Sequence, residues 1–332
     1  MGASLIVGPS ESFVDNEHSM THKMHMHDFA SVGGGVSALR SAVSTDESMR
    51  LHRFNGKSRM PISARAFFPG EWRHRVRLRA RRRPYVTVVL SARIEMKPDD
   101  AVVLVTGANR GLGRAFVEGL KAAGAKRIYA AARDPARVAT PGVQPVRLDV
   151  TRADDVAAAA RDLRDVNLLV NNAGIYRTGS LVADADGGGL QAQLDTNFFG
   201  LLAMARAFAP VLRDNGGGAI VNVLSVLSWL GVPNAGAYGI SKAAAWAATN
   251  AIRNELREQR TRVLALHSAY IDTDMVASAR GVPKNRPEDV VRQTLDALAA
   301  GRDEVLVDDL TRAVKAGLSA DPAVYTQPPM GA

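Results

Sequence analysis

The chain has 332 residues, 46% of them hydrophobic, which is enough to bury the core of one large domain or two small ones. It contains no cysteine, which excludes disulfides, thiolate catalysis and cysteine-based metal sites, and we predict no metal site. The net charge of +9 is uneven, because residues 1–95 hold 15 Lys and Arg against 8 Asp and Glu, whereas the remainder is nearly neutral.

Residues 1–95 show no sustained helical or strand periodicity, and they include an arginine-rich run at 73–83. Such a run favours one of three interpretations: electrostatic binding to nucleic acid, an organelle-targeting extension, or a solvated extension without a fixed fold. We predict a disordered basic extension, or an over-long gene start with the true start at Met96. Nucleic acid is therefore not an expected partner, and the functional domain is predicted to span 96–332.

The chain lacks the basic and then apolar N-terminal pattern that is typical of a secretory signal. Its longest uncharged stretch, 215–241, is interrupted by several glycines and a proline, so it does not have the pattern of a membrane span. We therefore expect a cytoplasmic protein with no membrane partner.

From residue 101 onward, short apolar runs alternate with stretches of helical periodicity. The apolar runs predict strands over 101–107, 127–133, 143–150, 166–174, 218–225, 261–268 and 304–307. The periodic stretches predict helices over 112–123, after Thr151, and over 190–212, 238–259 and 287–300. Thr151 is placed to cap the second of these helices. The alternation predicts an α/β fold with a single Rossmann-like doubly wound parallel sheet of about seven strands and helices on both faces.

The stretch TGANRGLG at 106–113 joins the first predicted strand to the first predicted helix. Gly107 would allow a tight turn, while Gly111 and Gly113 would let a pyrophosphate approach the helix N-terminus, where backbone amides and the helix dipole favour anions. The spacing differs from the commoner G-x-G-x-x-G pattern. Taken alone, a plain strand-to-helix turn explains these glycines equally well.

Tyr238 and Lys242 are four residues apart in a predicted helix, so both lie on one face with Cβ atoms roughly 5–6 Å apart. Reduction of a carbonyl needs a proton donor, and a phenol with a pKa of about 10 exchanges protons better when a cation lowers that pKa. Ser225 ends a predicted central strand, where a hydroxyl can hold a substrate oxygen. Taken singly, these residues are usually a packing tyrosine, a surface lysine and a turn serine.

Four motifs together resemble the short-chain dehydrogenases/reductases. They are the glycine loop, NNAG at 171–174, Asn197 with Ser225, and YGISK at 238–242, in the family's order over about 102–307. The resemblance implies an oxidoreductase with a nicotinamide cofactor, either a carbonyl reductase or an alcohol dehydrogenase. It implies the catalytic residues Asn197, Ser225, Tyr238 and Lys242. In this set Tyr238 is the general acid/base, Lys242 also binds the nicotinamide ribose, and Asn197 holds a water that relays protons. The implied cofactor-binding residues are Thr106, Gly107, Asn109, Arg110, Gly111, Leu112, Gly113, Arg133, Asp149, Val150, Asn172, Ala173, Gly174, Tyr238, Lys242 and Thr273.

The end of the second predicted strand indicates which cofactor binds. In these folds an acidic residue there holds the ribose 2′-hydroxyl and selects NAD, but Ala132 takes that place and Arg133 follows it. Arg110, inside the glycine loop, adds a second guanidinium suited to a 2′-phosphate. We predict NADP. NAD is the alternative if Asp134 reaches the ribose, and both arginines would then be solvated surface charges.

The substrate site is less sharply defined by the sequence. After the sixth predicted strand the family usually has a Pro-Gly pair, which Ser268 and Ala269 replace here, so we expect a differently shaped cofactor pocket. Large side chains in nearby loops predict an apolar pocket for a hydrophobic ketone, aldehyde or alcohol. They are Tyr176, Leu227, Trp229, Tyr270 and Met275. The alternative is that several of them are packing residues or subunit contacts.

Two further expectations concern partners and an alternative function. Family members commonly associate through two long helices, here 190–212 and 238–259, so the resemblance implies a homodimer or homotetramer. An Ala-rich face at 243–248 would allow close helix packing. The alternative function is a protein that binds NADP(H) as a sensor without catalysis, and the four catalytic-type residues argue against it.

Overall fold

The structure is a computed structural model that describes residues 100–320 and 323–326, together with the backbone of seven short strands between residues 2 and 92. It divides into two units, Met1–Glu95 and Met96–Ala332. Most of the first unit lies outside the described residues, so the proposed disordered extension or over-long gene start stays a prediction.

The described strands of the first unit belong to two small sheets. Five of them form one sheet, namely Gly2–Val7, Ser48–Arg50, Arg65–Phe67, Arg73–His74 and Val88–Ala92. The other two, His22–His25 and Val76–Arg79, pair in parallel. The arginine-rich run at 73–83 therefore falls partly in strands and partly outside the described residues.

The second unit contains a seven-stranded sheet whose strands we number β1 to β7. They are β1 Val102–Thr106, β2 Arg127–Ala132, β3 Gln144–Arg147, β4 Leu168–Asn171, β5 Gly218–Val223, β6 Thr261–His267 and β7 Glu304–Leu306. Their order is β3-β2-β1-β4-β5-β6-β7, and every neighbouring pair is parallel. The predicted fold class is confirmed.

Helices cover both faces of this sheet. They are α1 Gly111–Ala122, α2 Ala153–Asp162, α3 Leu190–Leu194, α4 Leu201–Asp214, α5 Gly236–Glu255, α6 Pro287–Ala299, α7 Asp309–Gly317 and α8 Ala323–Thr326. Because successive strand residues point to opposite faces, Val103 and Val105 pack with Phe116 of α1, whereas Leu104 packs with Phe208 of α4. Each face of β1 is thus a buried core.

Three details differ from the sequence prediction. The helix predicted over 190–212 contains a π-helical turn, Asp195–Gly200, between α3 and α4. The helix predicted over 238–259 begins two residues earlier and ends at Glu255. Thr151 does not cap α2, because its hydroxyl donates a hydrogen bond to the Asp149 carboxylate and the helix begins at Ala153.

No helix of the described residues is both long and apolar enough to cross a membrane. In that same part of the chain, no group of three or more His, Asp or Glu side chains is arranged to hold a metal ion.

Candidate active site

A cavity of about 920 Å³ opens at the carboxyl edge of the sheet, beside the ends of β1 and β4. The connection that follows β1 leads to β2 on one side, and the connection that follows β4 leads to β5 on the other side. This reversal of strand order is where open α/β sheets bind their ligands. The cavity collects most of the predicted cofactor residues. Those that line it are Gly107, Asn109, Arg110, Gly111, Leu112, Gly113, Arg133, Asp149, Val150, Asn172, Ala173, Gly174, Tyr238, Lys242 and Thr273.

The glycine loop bends closely around the start of α1. Gly107 and Gly111 have φ values of +66° and +52°, which favour glycine. A Cβ atom on Gly113 would stand 2.1 Å from the Gly107 carbonyl oxygen and 2.5 Å from Asn172 Nδ2. The loop therefore needs glycine at these positions, and it leaves the N-terminus of α1 open toward the cavity.

Thr106 is placed behind the cavity rather than in its lining. It is buried, and its Oγ1 donates to the Val170 carbonyl at 3.2 Å while accepting from the amides of Asn172 and Ala173, both at 3.0 Å. The side chain predicted to bind the cofactor thus ties the end of β1 to the segment after β4. It shapes the glycine loop without facing the cavity.

Basic side chains gather at the end of the cavity below β2. Ala132 closes β2 and Arg133 follows it in the lining, as expected. The structure adds Arg137, on the 3-10 turn Pro135–Arg137, which the sequence analysis did not identify. Asp134 lines the cavity too, but its carboxylate accepts a hydrogen bond from the Ala136 amide and caps that turn.

Two carboxylates of the lining, Asp149 and Asp274, lie close to arginines. Burial opposes ionisation of Asp149, but hydrogen bonds from the Thr151 amide and hydroxyl, with the charges of Arg133 and Arg152, lower its pKa below the ordinary value. Arg110 Nη1 lies 3.4 Å from Oδ2 of Asp274, and both side chains are largely exposed. An exposed pair of this kind is weak, so a cofactor phosphate can compete for Arg110.

Tyr238, Ser225 and Lys242 meet at the inner end of the cavity. Tyr238 and Lys242 lie one turn apart on α5, and Ser225 follows β5. The Tyr238 and Ser225 hydroxyls are hydrogen-bonded to each other. Lys242 Nζ donates to the Val223 carbonyl at 2.8 Å and lies 5.6 Å from the centroid of the Tyr238 ring. The structure thus brings together the three side chains for which the sequence predicts a catalytic role, with the lysine directed to the backbone.

The protonation of this group differs from the sequence expectation. Burial raises the pKa of Tyr238 to about 12, outweighing the hydrogen bond from Ser225 that lowers it. Burial also lowers the pKa of Lys242 to about 8. The expectation of a lowered tyrosine pKa is therefore corrected, because loss of water around both groups disfavours both charged forms.

Asn197 lies in the π-helical turn and is fully enclosed. Its Oδ1 accepts from the Ile175 amide at 2.8 Å, and its Nδ2 donates to the Ile175 carbonyl and to Ser241 Oγ, each at 2.9 Å. A Cβ on Gly174 would lie 3.1 Å from Asn197 Oδ1 and 3.8 Å from Lys242 Nζ. Asn197 therefore fixes the segment after β4 beside the lysine.

Of the five side chains predicted to form the substrate pocket, Tyr176 and Met275 line the cavity. The Tyr176 ring meets the Tyr238 ring edge-on, with centroids 5.1 Å apart. The other three differ from prediction: Leu227, Trp229 and Tyr270 do not line this cavity. Trp229 instead stacks on His267, with centroids 4.0 Å apart, because its side chain packs against the apolar cluster of Val226, Leu230 and Val314.

The chain is similar to known proteins in both sequence and fold. Residues 101–282 match the family model of the short chain dehydrogenases. A short chain dehydrogenase from Burkholderia cenocepacia J2315, solved in complex with NADP, is 38% identical, with a TM-score of 0.66 over 69% of this chain and 97% of that one. A dehydrogenase/reductase SDR family member 7B from Mus musculus is 28% identical over 63% of this chain and 74% of its own. An NADP-dependent 3-hydroxy acid dehydrogenase from Schizosaccharomyces pombe is 27% identical over 64% and 92%.

Proposed function

The chain belongs to the short-chain dehydrogenase/reductase family, and from that premise we propose that it is an NADP-dependent oxidoreductase with Tyr238 as its general acid/base. The observation that carries the proposal is the arrangement of one cavity. The hydrogen-bonded Tyr238 and Ser225 lie at its inner end, and the glycine loop and the arginines lie along the rest of its lining.

The lining suits a dinucleotide. The glycines of 107–113 leave no side chain between the backbone and the cavity, and a Cβ on Gly113 would collide with the loop itself. Backbone amides at the start of α1 then face a pyrophosphate, which the helix dipole favours. When bound, a nicotinamide cofactor supplies or accepts the hydride.

The basic end of the cavity supports NADP rather than NAD. Arg133 and Arg137 line it below β2, and Arg110 lines it from the glycine loop. Ala132 presents no carboxylate there, and Asp134 is engaged in capping its own turn. Guanidinium groups bind phosphate oxygens in pairs. The names of the Burkholderia and Schizosaccharomyces relatives both include NADP.

Each catalytic side chain has a role that its contacts support. Tyr238, with its pKa raised to about 12, holds its proton at neutral pH and donates it to the oxygen of a carbonyl as that oxygen gains charge. Ser225 holds the same oxygen and orients the phenol. Lys242 is cationic below its pKa of about 8 and stabilises negative charge that develops on Tyr238. Asn197 positions the segment after β4, and the water relay that the family resemblance implies is part of this proposal.

The substrate is a small carbonyl or alcohol compound. Tyr176 stands against Tyr238, and Ala269, Met275 and Val276 line the same cavity. These mostly apolar side chains suit a ketone, aldehyde or secondary alcohol with a hydrophobic substituent. The activity named for the Schizosaccharomyces relative makes 3-hydroxy acids a class to include in substrate tests.

We propose a homodimer or homotetramer in solution. Two apolar side chains are exposed on the long helices, Phe199 at 50% on the π-helical turn and Ile240 at 42% on α5. Burying them against a second copy would be favourable. The molar mass measured by light scattering tests this assembly.

The activity is tested with a panel of ketones, aldehydes, alcohols and 3-hydroxy acids, using the absorbance of the reduced nicotinamide. We expect turnover with NADPH or NADP, and much weaker turnover with NADH or NAD. NADPH binding without turnover across the panel would favour the sensor alternative. Absence of both binding and turnover would contradict the proposed function.

A further inference from the structure

The loop that follows β6 forms one wall of the cavity. Ser268, next to the strand end, accepts a hydrogen bond at its carbonyl from the amide of Val226, the residue after Ser225, at 3.0 Å. Thr273, five residues further, approaches the glycine loop, where its Cγ2 would lie 3.3 Å from a Cβ built on Gly111. The wall at 268–273 therefore spans the distance from the catalytic serine to the glycine loop.

This wall is held by a carboxylate outside the cavity. Asp308 Oδ2 accepts from the Ala269 amide at 2.9 Å, from Ser268 Oγ at 3.3 Å and from Asn285 Nδ2 at 2.8 Å. Asn285 Nδ2 also contacts Ser268 Oγ at 3.0 Å and donates to the Tyr270 carbonyl at 3.1 Å. The amide of Asn285 donates to that carbonyl as well, at 2.8 Å. Asp308 and Asn285 thus grip three consecutive residues of the wall.

The second oxygen of the same carboxylate anchors it to the fold. Asp308 Oδ1 accepts from the amide and the hydroxyl of Thr311, both at 2.8 Å, and so caps helix α7. Thr311 is completely buried. Although burial opposes ionisation, the hydrogen bonds from Ala269, Thr311 and Asn285 lower the pKa of Asp308 below its ordinary value. The carboxylate is therefore a charged acceptor, and charged acceptors make the stronger hydrogen bonds.

We propose that Asp308 is a positioning residue. It fixes the wall at 268–273, and the wall in turn fixes the position of the bound cofactor relative to Ser225. The consequence for cofactor and turnover rests on the proposed function. Asp308 and Asn285 both lie beyond residue 282, where the family match ends. The wall begins with Ser268 and Ala269, where the family usually has Pro-Gly. The backbone of serine is more flexible than that of proline. The hydrogen bonds of Asp308 and Asn285, which we call the clamp, therefore supply the rigidity.

Two variants separate this clamp from the helix cap. Asp308→Ser keeps a capping hydroxyl for α7, but its side chain is too short to reach the Ala269 amide. Asn285→Ala removes the amide group that links Asp308 to the Tyr270 carbonyl. Asp309→Asn is the matched control, because Asp309 is the next residue, carries the same group and has a fully exposed side chain.

The first measurement needs no nucleotide. Hydrogen exchange is followed in the full chain at the backbone amides of 269–274. In Asp308→Ser we expect the Ala269 amide to exchange about tenfold faster or more, since its charged acceptor is lost, and no change in Asp309→Asn. Unchanged exchange in both Asp308→Ser and Asn285→Ala overturns the clamp. Because no cofactor is present, this result stands even if the proposed function fails.

The second measurement tests positioning. NADPH affinity is read by its fluorescence, and kcat is read with a substrate found in the panel. We expect Asp308→Ser to weaken NADPH binding and lower kcat by about tenfold each, since small misplacements are costly in an active site. The double variant with Asn285→Ala should be no worse than the more damaging single variant, because both act on one loop. A lower melting temperature with unchanged NADPH affinity and kcat overturns the positioning role and leaves Asp308 a helix cap.

Discussion

At the residue scale, the environment of Tyr238 and Lys242 matters as much as their spacing. The four-residue separation in the sequence places both on one face of α5, and the structure has them there. The spacing does not reveal that Lys242 is 96% buried and bonded to the Val223 carbonyl. With water excluded, the pKa of Tyr238 rises and that of Lys242 falls. A protonated phenol is the form that a carbonyl-reducing enzyme needs at the start of its cycle.

The first prediction concerns the stability cost of the buried lysine. The pKa of Lys242 falls from 10.5 to about 8 on folding, so below about pH 8 the folded state holds a charge that the unfolded state solvates better. We expect Lys242→Met to abolish turnover and to raise the free energy of unfolding by about 1–3 kcal/mol near pH 7, the upper end corresponding to about two pKa units.

The sign of the pH dependence provides the check. Between about pH 8 and pH 10 the folded chain has released the Lys242 proton while the unfolded chain keeps it, so wild-type stability from this group rises with pH. The advantage of Lys242→Met in urea denaturation should therefore shrink across that interval. A difference that stays constant from pH 7 to about pH 10 contradicts the assignment.

The second prediction concerns the choice of cofactor. Ala132 ends β2 and lines the cavity beside Arg133. We expect Ala132→Asp to weaken NADPH binding by on the order of a hundredfold, because a carboxylate there repels a 2′-phosphate, and to preserve or improve NADH binding through the ribose hydroxyl. Ala132→Asn matches the size without the charge and serves as control. Equal losses for NADPH in both variants would show that bulk, rather than charge, is responsible.

At the element scale, strands and helices were predictable where periodicity is strong, and side-chain directions in loops were not. The apolar runs located all strands of the parallel sheet, because strands buried on both faces are nearly continuous in hydrophobic residues. The π-helical turn at Asp195–Gly200 leaves the apolar pattern intact, so nothing in the sequence distinguishes it from a regular helix. Trp229 was expected in the substrate pocket, but its ring packs on His267 and Trp246.

Arg137, Asn285 and Asp308 contribute to the cavity or its wall, but the motifs in the sequence do not identify them. Each reaches the cavity or its wall through contacts that the recognised motifs do not include. Arg137 follows Arg133 by four residues on a short turn, so the basic composition after β2 was a usable signal. In the sequence, Asp308 is recognisable only as a residue of the type that caps helices. The contacts of its second carboxylate oxygen appear only in the structure.

The third prediction concerns the glycine loop as an element. A Cβ on Gly113 would stand 2.1 Å from the carbonyl oxygen of Gly107, and backbone cannot move aside cheaply. We expect Gly113→Ala to lose NADPH binding and to lower the free energy of unfolding by about 3 kcal/mol. Gly231→Ala is the control, since no heavy atom lies within 4 Å of the added Cβ. Equal stability of the two variants in urea would contradict the close approach.

At the scale of the whole molecule, the residues proposed to be catalytic lie within the second unit. The described cavity residues fall between 107 and 276, and the family match covers 101–282. The composition break at residue 95 coincides with the division between units. The role of residues 1–95 stays a prediction, as does the cytoplasmic location.

The fourth prediction is that the second unit functions alone. A chain of 96–332 should fold, bind NADPH and turn over substrate as the full chain does, because a compact domain carries its own core. Thermal unfolding and kcat/KM of both chains, compared under the same conditions, check this. A tenfold loss of kcat/KM on truncation would assign residues 1–95 a part in the activity.

The most direct test of the central claim is the single substitution Tyr238→Phe. It removes the hydroxyl that is bonded to Ser225 and leaves the ring that packs against Tyr176. General acid catalysis contributes about a hundredfold to ten-thousandfold, so we predict a loss of kcat of that order with NADPH affinity unchanged. Turnover at the wild-type rate in Tyr238→Phe, with the cofactor still bound, would contradict the account.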